Sequence, residues 1–309
     1  MKTLRQFSQV ALLSLSAICM TAVNAQELKI GFVNTDRIFR EASTAKAAQA
    51  KLEQEFSRRG KELADLQSGL RVFREKFDRE GLSNASYELF DLPTLDHFDV
   101  WIQQQANVDV PLIGFNVTVP HKTSVITYLT TISDEAKAIQ AVNTVVISRN
   151  KIDQKIELHG YNTDVDGFAK SLEIISDSAF TQAIILGNGG SAKAVRHILN
   201  QQNISNFTVH RGRIVETNTP FDAYQIPPNT LIVQTTPVGM WPNIEAHIEF
   251  PFNQLNPSHV VIDLIYNPSQ TTFMQKCEER GAITLNGQTM LNAQAETAWQ
   301  LFKSALSAL

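Results

Sequence analysis

The sequence predicts an α/β fold made of two domains. From Tyr87 onward, short apolar runs such as Val142–Ile147 alternate with helical stretches, which is typical of α/β proteins. A glycine-rich turn at residues 187–192 follows an apolar strand and opens a helix. The length of 309 residues allows two domains, and 43% apolar against 19% charged residues is ordinary for a protein with buried cores.

Charge and cysteine content exclude several classes of function. The net charge of −4 gives no electrostatic reason to expect a nucleic-acid partner. The two cysteines, Cys19 and Cys277, are spaced for neither a metal site nor a disulfide framework. We therefore expect neither a nucleic-acid partner nor a metal.

The first 25 residues have the pattern of a secretory signal peptide. Lys2 and Arg5 precede an apolar stretch from Val10 to Val23, and Val23-Asn24-Ala25 has the small-x-small form of a cleavage site. The stretch is shorter than the roughly 18 apolar residues of a membrane span. The alternative is an amphipathic or membrane-anchoring helix. The signal-like pattern points to the periplasm.

Residues 26–72 predict a strand followed by a long helical arm. Leu28–Val33 is a short strand-like run, and the stretch from Ala42 to Arg79 contains no proline. Apolar residues in that stretch recur at heptad-like intervals with one missing position, which favours a coiled coil. These residues are Leu52, Phe56, Leu63, Leu66, Leu70, Phe73 and Phe77.

The N-terminal segment, notably LKIGFVNTDRIF and KLEQEFSRR, resembles the Skp-type (OmpH-like) periplasmic chaperones over about Met1 to Leu70. The resemblance implies an exported coiled-coil chaperone of unfolded outer-membrane proteins, which self-associates through its arm. The returning half of that arm and the closing strands of the family are absent from this sequence. A single arm cannot build the family's caged trimer.

Residues 183–200 carry the pattern of a dinucleotide-binding turn. Gly187-x-Gly189-x-x-Ala192 follows the apolar strand Ala183–Leu186 and opens a helix. The first glycine makes the tight turn, the second lets backbone approach a pyrophosphate, and the small third residue lets helix pack on strand. The helix N-terminus faces the anion. The alternative is an ordinary strand–helix turn, and our interpretation is a Rossmann-like domain.

The residues after the next strand favour NADP over NAD. Phe207–Val209 ends at His210 and Arg211, about 20 residues after the glycine turn, where an NAD-binding protein would place an acidic residue. Arg211, aided by Arg213, is placed to meet a 2′-phosphate. The alternative is a solvated loop arginine.

Three polar residues stand where strands meet a cleft. Asn116–Lys122 ends a strand and starts a helix with Pro120 in its first turn, so Lys122 faces the cleft. Asn143 stands at a strand entrance, and Asp164 stands just before the nucleotide-binding unit. Taken singly, each is more often a helix cap or a solvated charge.

Seven motifs occur together in order and in register: NVTVPHK, AVNT, GYNTDVDG, GNGGSAKA, TTPVGM, IDLIYNP and NGQTMLNAQA. From about Phe73 to Leu309 they resemble the shikimate dehydrogenase family. The resemblance implies NADP-dependent reduction of 3-dehydroshikimate to shikimate in aromatic amino acid biosynthesis, with quinate as an alternative substrate. It also implies a cytoplasmic enzyme, in conflict with the signal-like start.

By position, the resemblance makes Lys122 the catalytic lysine and Asp164 its carboxylate partner at the substrate. A lysine suits the chemistry, because hydride delivery to a ketone needs a proton donor at the developing alkoxide. The family's other substrate contacts match Thr118, Asn143, Tyr266 and Gln294. Its cofactor contacts match Gly187, Asn188, Gly189, Gly190, Ser191, Ala192, His210, Arg211, Asp134, Leu264 and Gly287.

The resemblance sets domain boundaries and exposes one large departure. The predicted substrate domain comprises residues 73–165 and 288–309, and the predicted NADP-binding domain comprises residues 166–287. The family's first strand and its serine loop, which holds the substrate carboxylate, are missing. Leu28–Val33 is a candidate for the missing strand. We hypothesise that the chain is a fusion of a chaperone start onto an enzyme body, with activity impaired by the missing loop.

Overall fold

The protein is described here by a computed structural model. All described residues belong to one unit that spans Gln54–Leu309. The signal-like segment, the strand-like run at 28–33 and the arm up to residue 70 lie outside the described residues. Among the residues that are described, no helix is long and apolar enough to cross a membrane. The described ranges are 71–82, 85–107, 112–150, 152–175 and 180–306.

A four-stranded mixed sheet forms the first half of the described chain, in the order β1-β3-β4-β2. The central strand β3 pairs antiparallel with β1 and β4, and β2 runs parallel to β4. Side chains of a strand alternate between the two faces of a sheet, and Val145 and Ile147 are both buried on one face. The strands are β1 (Gly114–Asn116), β2 (Thr131–Ile132), β3 (Thr144–Arg149) and β4 (Ile156–Tyr161).

Three helices and one 3-10 turn accompany this sheet. Phe98 and Ile102 of α2 pack with Val145, Ile147 and Leu158 in one apolar cluster. The Ser133 hydroxyl caps α3 by accepting a hydrogen bond from the Ala136 backbone at 3.1 Å. The helices are α1 (71–80), α2 (Phe98–Ala106) and α3 (Asp134–Ile139), and the 3-10 helix is Ser124–Tyr128.

A seven-stranded sheet forms the second half, in the order β11-β10-β9-β5-β6-β7-β8. The pairings from β11 to β6 are parallel, and β7 and β8 extend the edge antiparallel. Continuous apolar strands such as β9 and β10, buried along their whole length, are expected of a parallel sheet covered on both faces. The strands are β5 (Gln182–Leu186), β6 (Ser205–His210), β7 (Arg213–Ile214), β8 (Thr219–Pro220), β9 (Thr230–Gln234), β10 (Val260–Asp263) and β11 (Ile283–Leu285).

Two helices, α4 and α7, pack on each other. Gly167 permits this close approach, since a Cβ atom there would lie 2.7 Å from the Met290 carbonyl oxygen. The predicted α/β fold is thereby confirmed, with a parallel sheet that carries the glycine-rich turn. The helices are α4 (Asp164–Ile174), α5 (Gly190–Gln201), α6 (Thr272–Glu278) and α7 (Gln288–Leu306), and a second 3-10 helix is Phe252–Gln254.

The segment after β1 departs from the predicted helix. Residues 119–123 form turns with a cis peptide before Pro120, and only Ser124–Tyr128 wind into a 3-10 helix. Three of those five residues are branched at Cβ, and such side chains lose rotamer freedom in an α-helix. Lys122 therefore stands on a turn.

The apolar run at residues 87–90 forms no strand with the described residues. Its aromatic side chains pack against helices instead. The Tyr87 ring stacks on Phe73 at 4.2 Å between centroids, and Phe90 meets Trp101 edge-on at 5.2 Å. Side-chain packing, and not a backbone ladder, holds this segment.

The last two members of the heptad series face the protein's own C-terminal helix. Phe73 and Phe77 are buried, and Phe77 meets the Trp299 ring edge-on at 5.3 Å. The buried Lys76 forms an ion pair with Glu296 of α7. At these two heptad positions the side chains therefore pack on α7 of the same chain and do not form a coiled coil with a second chain.

Candidate active site

Lys122 and Asp164, the predicted catalytic pair, form a salt bridge. The Lys122 Nζ atom lies 2.7 Å from Asp164 Oδ2, and the two side chains are 13% and 2% exposed. Lys122 stands on the turn after β1, and Asp164 is the first residue of α4. The Asp164 backbone N–H donates to Asn162 Oδ1 at 3.1 Å, which fixes the start of the helix.

The Asn143 side chain hydrogen-bonds to the second carboxylate oxygen of Asp164, Oδ1. Its Nδ2 donates to Asp164 Oδ1 at 2.9 Å and to Gln294 Oε1 at 3.3 Å. The two oxygens of Asp164 are thus divided between the Lys122 ammonium and an amide. The structure brings together four predicted site residues from a turn, a strand entrance and two helices.

The Asn143 amide is oriented by neighbours that carried no predicted role. Its Oδ1 accepts from the Thr163 backbone N–H at 2.7 Å and from the Thr144 hydroxyl at 3.1 Å. Asn116 Nδ2 donates in turn to Thr144 Oγ1 at 2.9 Å. All three supporting residues belong to motifs that the sequence analysis singled out. Their roles depend on contacts between distant segments, which spacing does not reveal.

The glycine-rich turn has the geometry that an anion site needs. Gly187 has φ +116°, and a Cβ atom there would lie 2.5 Å from Thr235 Oγ1. A Cβ atom on Gly189 would meet nothing within 4 Å, and no side chain caps the N-terminus of α5. Asn188 and Gly189 are exposed. Open backbone N–H groups at a helix N-terminus fit the pyrophosphate of a dinucleotide.

The start of α5 lies directly against the predicted catalytic pair. A Cβ atom on Gly190 would lie 3.2 Å from Lys122 Cβ, so the absent side chain makes room for the lysine stem. Lys122 Nζ also donates to the Ser191 hydroxyl at 3.5 Å. Ala192 is buried where α5 packs on the sheet. The predicted cofactor turn and the predicted proton donor are thus neighbours.

The loop after β10 brings Leu264 and Gly287 together. A Cβ atom on Gly287 would lie 2.0 Å from the Leu264 carbonyl oxygen. The Asp263 carboxyl group braces the loop by accepting from the Ile265 N–H at 3.1 Å and the Thr271 hydroxyl at 2.6 Å. Burial raises the pKa of Asp263 to about 6, although both hydrogen bonds act to lower it. Half-buried Tyr266 follows on the same loop.

A tight hairpin presents His210 and Arg211. Arg211 and Gly212 between β6 and β7 have φ +50° and +70°, as in a two-residue type I′ turn. His210 and Arg211 are exposed. Arg213, expected to aid Arg211, is engaged elsewhere, since its Nε donates to Asn218 Oδ1 at 2.8 Å.

Thr118 and Asp134, which also carry predicted roles, form no hydrogen bond or ion pair with Lys122, Asp164, Asn143 or Gln294 within the described part of the chain. Thr118 is exposed, and its hydroxyl contacts the Val119 carbonyl at 3.5 Å. Asp134 is exposed at the first position of α3. Over the described ranges, no cluster of His, Cys, Asp and Glu could hold a metal ion.

Two family models match the N-terminal half of the chain. The shikimate dehydrogenase substrate binding domain matches residues 64–145. The outer membrane protein (OmpH-like) family matches residues 29–91. The two matches overlap over residues 64–91, a range that includes α1.

Similar proteins cover most of the chain. A shikimate dehydrogenase (NADP(+)) of Desulforamulus reducens is 35% identical over 251 residues, which are 72% of this chain and 84% of that protein. A Methanococcus maripaludis protein of the same name is 35% identical over 207 residues, or 62% and 72%.

The fold of this chain is also similar to solved structures of shikimate dehydrogenases. A chorismate mutase/shikimate 5-dehydrogenase fusion protein from Clostridium acetobutylicum has a TM-score of 0.63 at 26% identity, over 77% of this chain and 86% of that one. A shikimate dehydrogenase in complex with NADP+ has a TM-score of 0.63 at 28% identity, over 78% and 90%. The extent of the identity to curated relatives shows that this chain belongs to the shikimate dehydrogenase family.

Proposed function

We propose that this chain reduces 3-dehydroshikimate to shikimate with NADPH. The observation that carries the proposal is the Lys122–Asp164 pair, which is held at 2.7 Å beside the N-terminus of α5. Curated relatives that cover most of the chain are named NADP-dependent shikimate dehydrogenases. The reaction class is therefore a reversible hydride transfer between a nicotinamide and a ring alcohol.

The residues around the glycine turn fit NADP. When bound, the cofactor supplies the hydride. Gly187 takes the positive φ of the tight turn, Gly189 leaves space for the pyrophosphate, and the open N–H groups at the start of α5 suit a negative charge. Arg211, exposed at a hairpin tip, can pair with a 2′-phosphate through two parallel N–H donors. Leu264 and Gly287 would line the nicotinamide.

Lys122 and Asp164 divide the proton chemistry between them. The Lys122 ammonium donates a proton to the substrate oxygen as negative charge develops there. Asp164 holds the ammonium through Oδ2 and can accept from a ring hydroxyl. Asn143 and Gln294 present amide groups that suit a polyhydroxylated ring acid. Thr118 and Tyr266 would complete the substrate contacts.

Shikimate-dependent reduction of NADP+, followed by nicotinamide absorbance, tests this function. Lys122→Ala removes the proton donor, and we expect kcat to fall by about 10²- to 10⁴-fold. Binding of NADPH should be retained, because the lysine ammonium contacts α5 only through one long hydrogen bond, to the Ser191 hydroxyl at 3.5 Å. The matched control is Lys137→Ala, which removes an exposed lysine of α3 in the same half of the chain.

Each outcome has a clear meaning. Turnover that is lost in Lys122→Ala and kept in Lys137→Ala supports the proposal. Wild-type protein that binds NADPH without turning over shikimate would contradict it and would point to the missing serine loop. Turnover that survives in Lys122→Ala would remove that residue from its assigned role.

A second candidate function rests on the OmpH-like match over residues 29–91. An exported chaperone would suppress aggregation of an unfolded outer-membrane protein without any nucleotide. The dehydrogenase function instead favours the cytoplasm, where the NADPH pool lies. The fusion hypothesis unites the two matches, and an uninterrupted reading frame at the gene locus would support it.

A further inference from the structure

A chain of hydrogen bonds leads from Tyr87 to the substrate side of the site. The Tyr87 hydroxyl donates to Asn116 Oδ1 at 2.7 Å, and Asn116 Nδ2 donates to Thr144 Oγ1 at 2.9 Å. The Thr144 hydroxyl donates to Asn143 Oδ1 at 3.1 Å. The opposite end of the Asn143 amide is the Nδ2 that contacts Asp164. Four residues from three segments thus form one relay.

The orientation of the Asn116 amide in the relay is fixed by its partners. Asn116 Nδ2 also donates to the Asn143 carbonyl oxygen at 3.3 Å, a partner that can only accept. The Asn116 amide therefore cannot turn over without placing two oxygens against each other. The Thr144 hydroxyl accepts from Asn116 and donates to Asn143 Oδ1 at 3.1 Å, which lies closer to it than its other polar neighbour, Thr163 Oγ1, at 3.3 Å. The Asn143 Nδ2 is left facing the Asp164 carboxylate.

Tyr87 is held at the outer end of this relay. Its ring stacks on Phe73 of α1 with an angle of 13° between the planes. Burial raises the pKa of the Tyr87 hydroxyl above its usual range, so the group stays a neutral donor. Without this donor, the Asn116 amide would lose the hydrogen bond at Oδ1 and would be held only through the contacts of its Nδ2.

We propose that Tyr87 is a positioning residue for substrate binding, which fixes the Asn143 amide through Asn116 and Thr144. The inference rests on the proposed function, because Asn143 is taken as a substrate contact. Tyr87 itself touches neither Lys122 nor the glycine turn through any hydrogen bond in the described chain. Its loss should weaken shikimate binding and leave the nucleotide site unchanged.

Tyr87→Phe tests the proposal, since it removes the hydroxyl and keeps the ring on Phe73. We expect KM for shikimate to rise about tenfold, the usual effect of one orphaned buried polar group, while KM for NADP changes less than about twofold. The matched control is Tyr128→Phe. Its hydroxyl donates to the Leu95 carbonyl at 3.0 Å in the same half of the chain, outside the relay. This control should leave both KM values unchanged.

A double-mutant cycle separates positioning from general loss of stability. Thr144→Val keeps the side-chain shape and cuts the relay one step later. If Tyr87 acts through Thr144, Tyr87→Phe should change KM for shikimate less than about twofold in the Thr144→Val background. Effects that multiply independently would overturn the proposal, as would an unchanged KM for shikimate in Tyr87→Phe.

The experiment also separates this inference from the proposed function. An active wild type with normal KM in Tyr87→Phe overturns the inference alone. If the wild type does not turn over, calorimetric Kd values for shikimate replace KM. A tenfold weaker Kd in Tyr87→Phe would then support the inference although the proposed function had failed. A wild type that does not bind shikimate would overturn both.

Discussion

Asp263 carries a carboxyl group that is fully buried at the end of β10, beside the loop that leads to Leu264 and Tyr266. Two hydrogen bonds do not offset the loss of water around it, so its pKa is raised from 3.8 to about 6. The folded state therefore holds this proton more firmly than the unfolded chain does. The protonated carboxyl group therefore contributes its full stabilisation of the folded state below the unfolded pKa. This stabilisation is lost as pH rises through about 6.

Asp263→Asn should remove this pH dependence. Between about pH 5 and about pH 8, the free energy of unfolding of the wild type should fall by about 1 kcal/mol more than that of the variant. Urea denaturation of both proteins at each pH measures the difference, and Asp222→Asn controls for removal of an exposed aspartate. Parallel pH profiles for the wild type and Asp263→Asn would show that the pKa of this carboxyl group is not raised by folding.

The residues with predicted catalytic and binding roles were identified through motifs that occur together in register, and their supporting residues were not predicted. Lys122, Asn143 and Asp164 stand in motifs and at strand ends, where sequence alone indicates a role. Asn116 and Thr163 act by orienting Asn143, and such a role exists only once distant segments are folded together. Local patterns do not encode these contacts.

At the scale of elements, two glycines with predicted cofactor roles differ in the space around them. Gly189 lies in the turn between β5 and α5, and Gly287 lies just before α7. A methyl group on Gly189 would meet nothing within 4 Å, whereas one on Gly287 would lie 2.0 Å from the Leu264 carbonyl oxygen. The first glycine has room for a larger residue, and the second has none. The two positions therefore make a matched pair.

Gly189→Ala should fold almost normally, with a loss of about 0.5 to 1 kcal/mol at the helix cap. Its methyl group would occupy the surface that a pyrophosphate approaches, so Kd for NADPH should rise at least about tenfold. Gly287→Ala should lose about 3 kcal/mol, because backbone must move. Thermal unfolding and NADPH titration measure both effects. Unchanged NADPH affinity in Gly189→Ala would remove this turn from the cofactor site.

Elements with a strong local signal were predictable, and elements made by tertiary contacts were not. The turn at Gly187 and the strand entrance at Asn143 follow from apolar runs and glycine placement, and both are confirmed. The expected helix at Pro120 was wrong, since only Ser124–Tyr128 wind into a 3-10 helix, and three of its five residues are Cβ-branched and therefore have a lower α-helix propensity. The heptad pattern did not distinguish packing on a second chain from packing of Phe73 and Phe77 on α7.

At the scale of the whole molecule, α1 lies where the two family matches overlap. In the structure this helix packs on α7 through Phe73 and Phe77 and pairs Lys76 with Glu296. Helix α1 is thus part of the dehydrogenase-like body. If the chain is a fusion, we therefore predict that the boundary between a chaperone-like start and that body falls before residue 71.

Two truncations test this boundary. The apolar clusters on the two faces of the seven-stranded sheet draw their buried members from residues between Ile139 and Met290. A chain that begins at Arg71 should therefore bind NADPH with a Kd within about twofold of the full chain.

A chain that begins at Gly81 lacks Phe73 and Phe77. It should lose at least about 5 kcal/mol of its free energy of unfolding, because each buried phenylalanine is worth about 3 kcal/mol or more. Urea denaturation and NADPH titration of the two chains, with the full chain as control, measure both effects. Equal stability of the two truncated chains would show that α1 is not part of the body. Failure of the longer one to bind NADPH would show that the residues before Arg71 are needed for it.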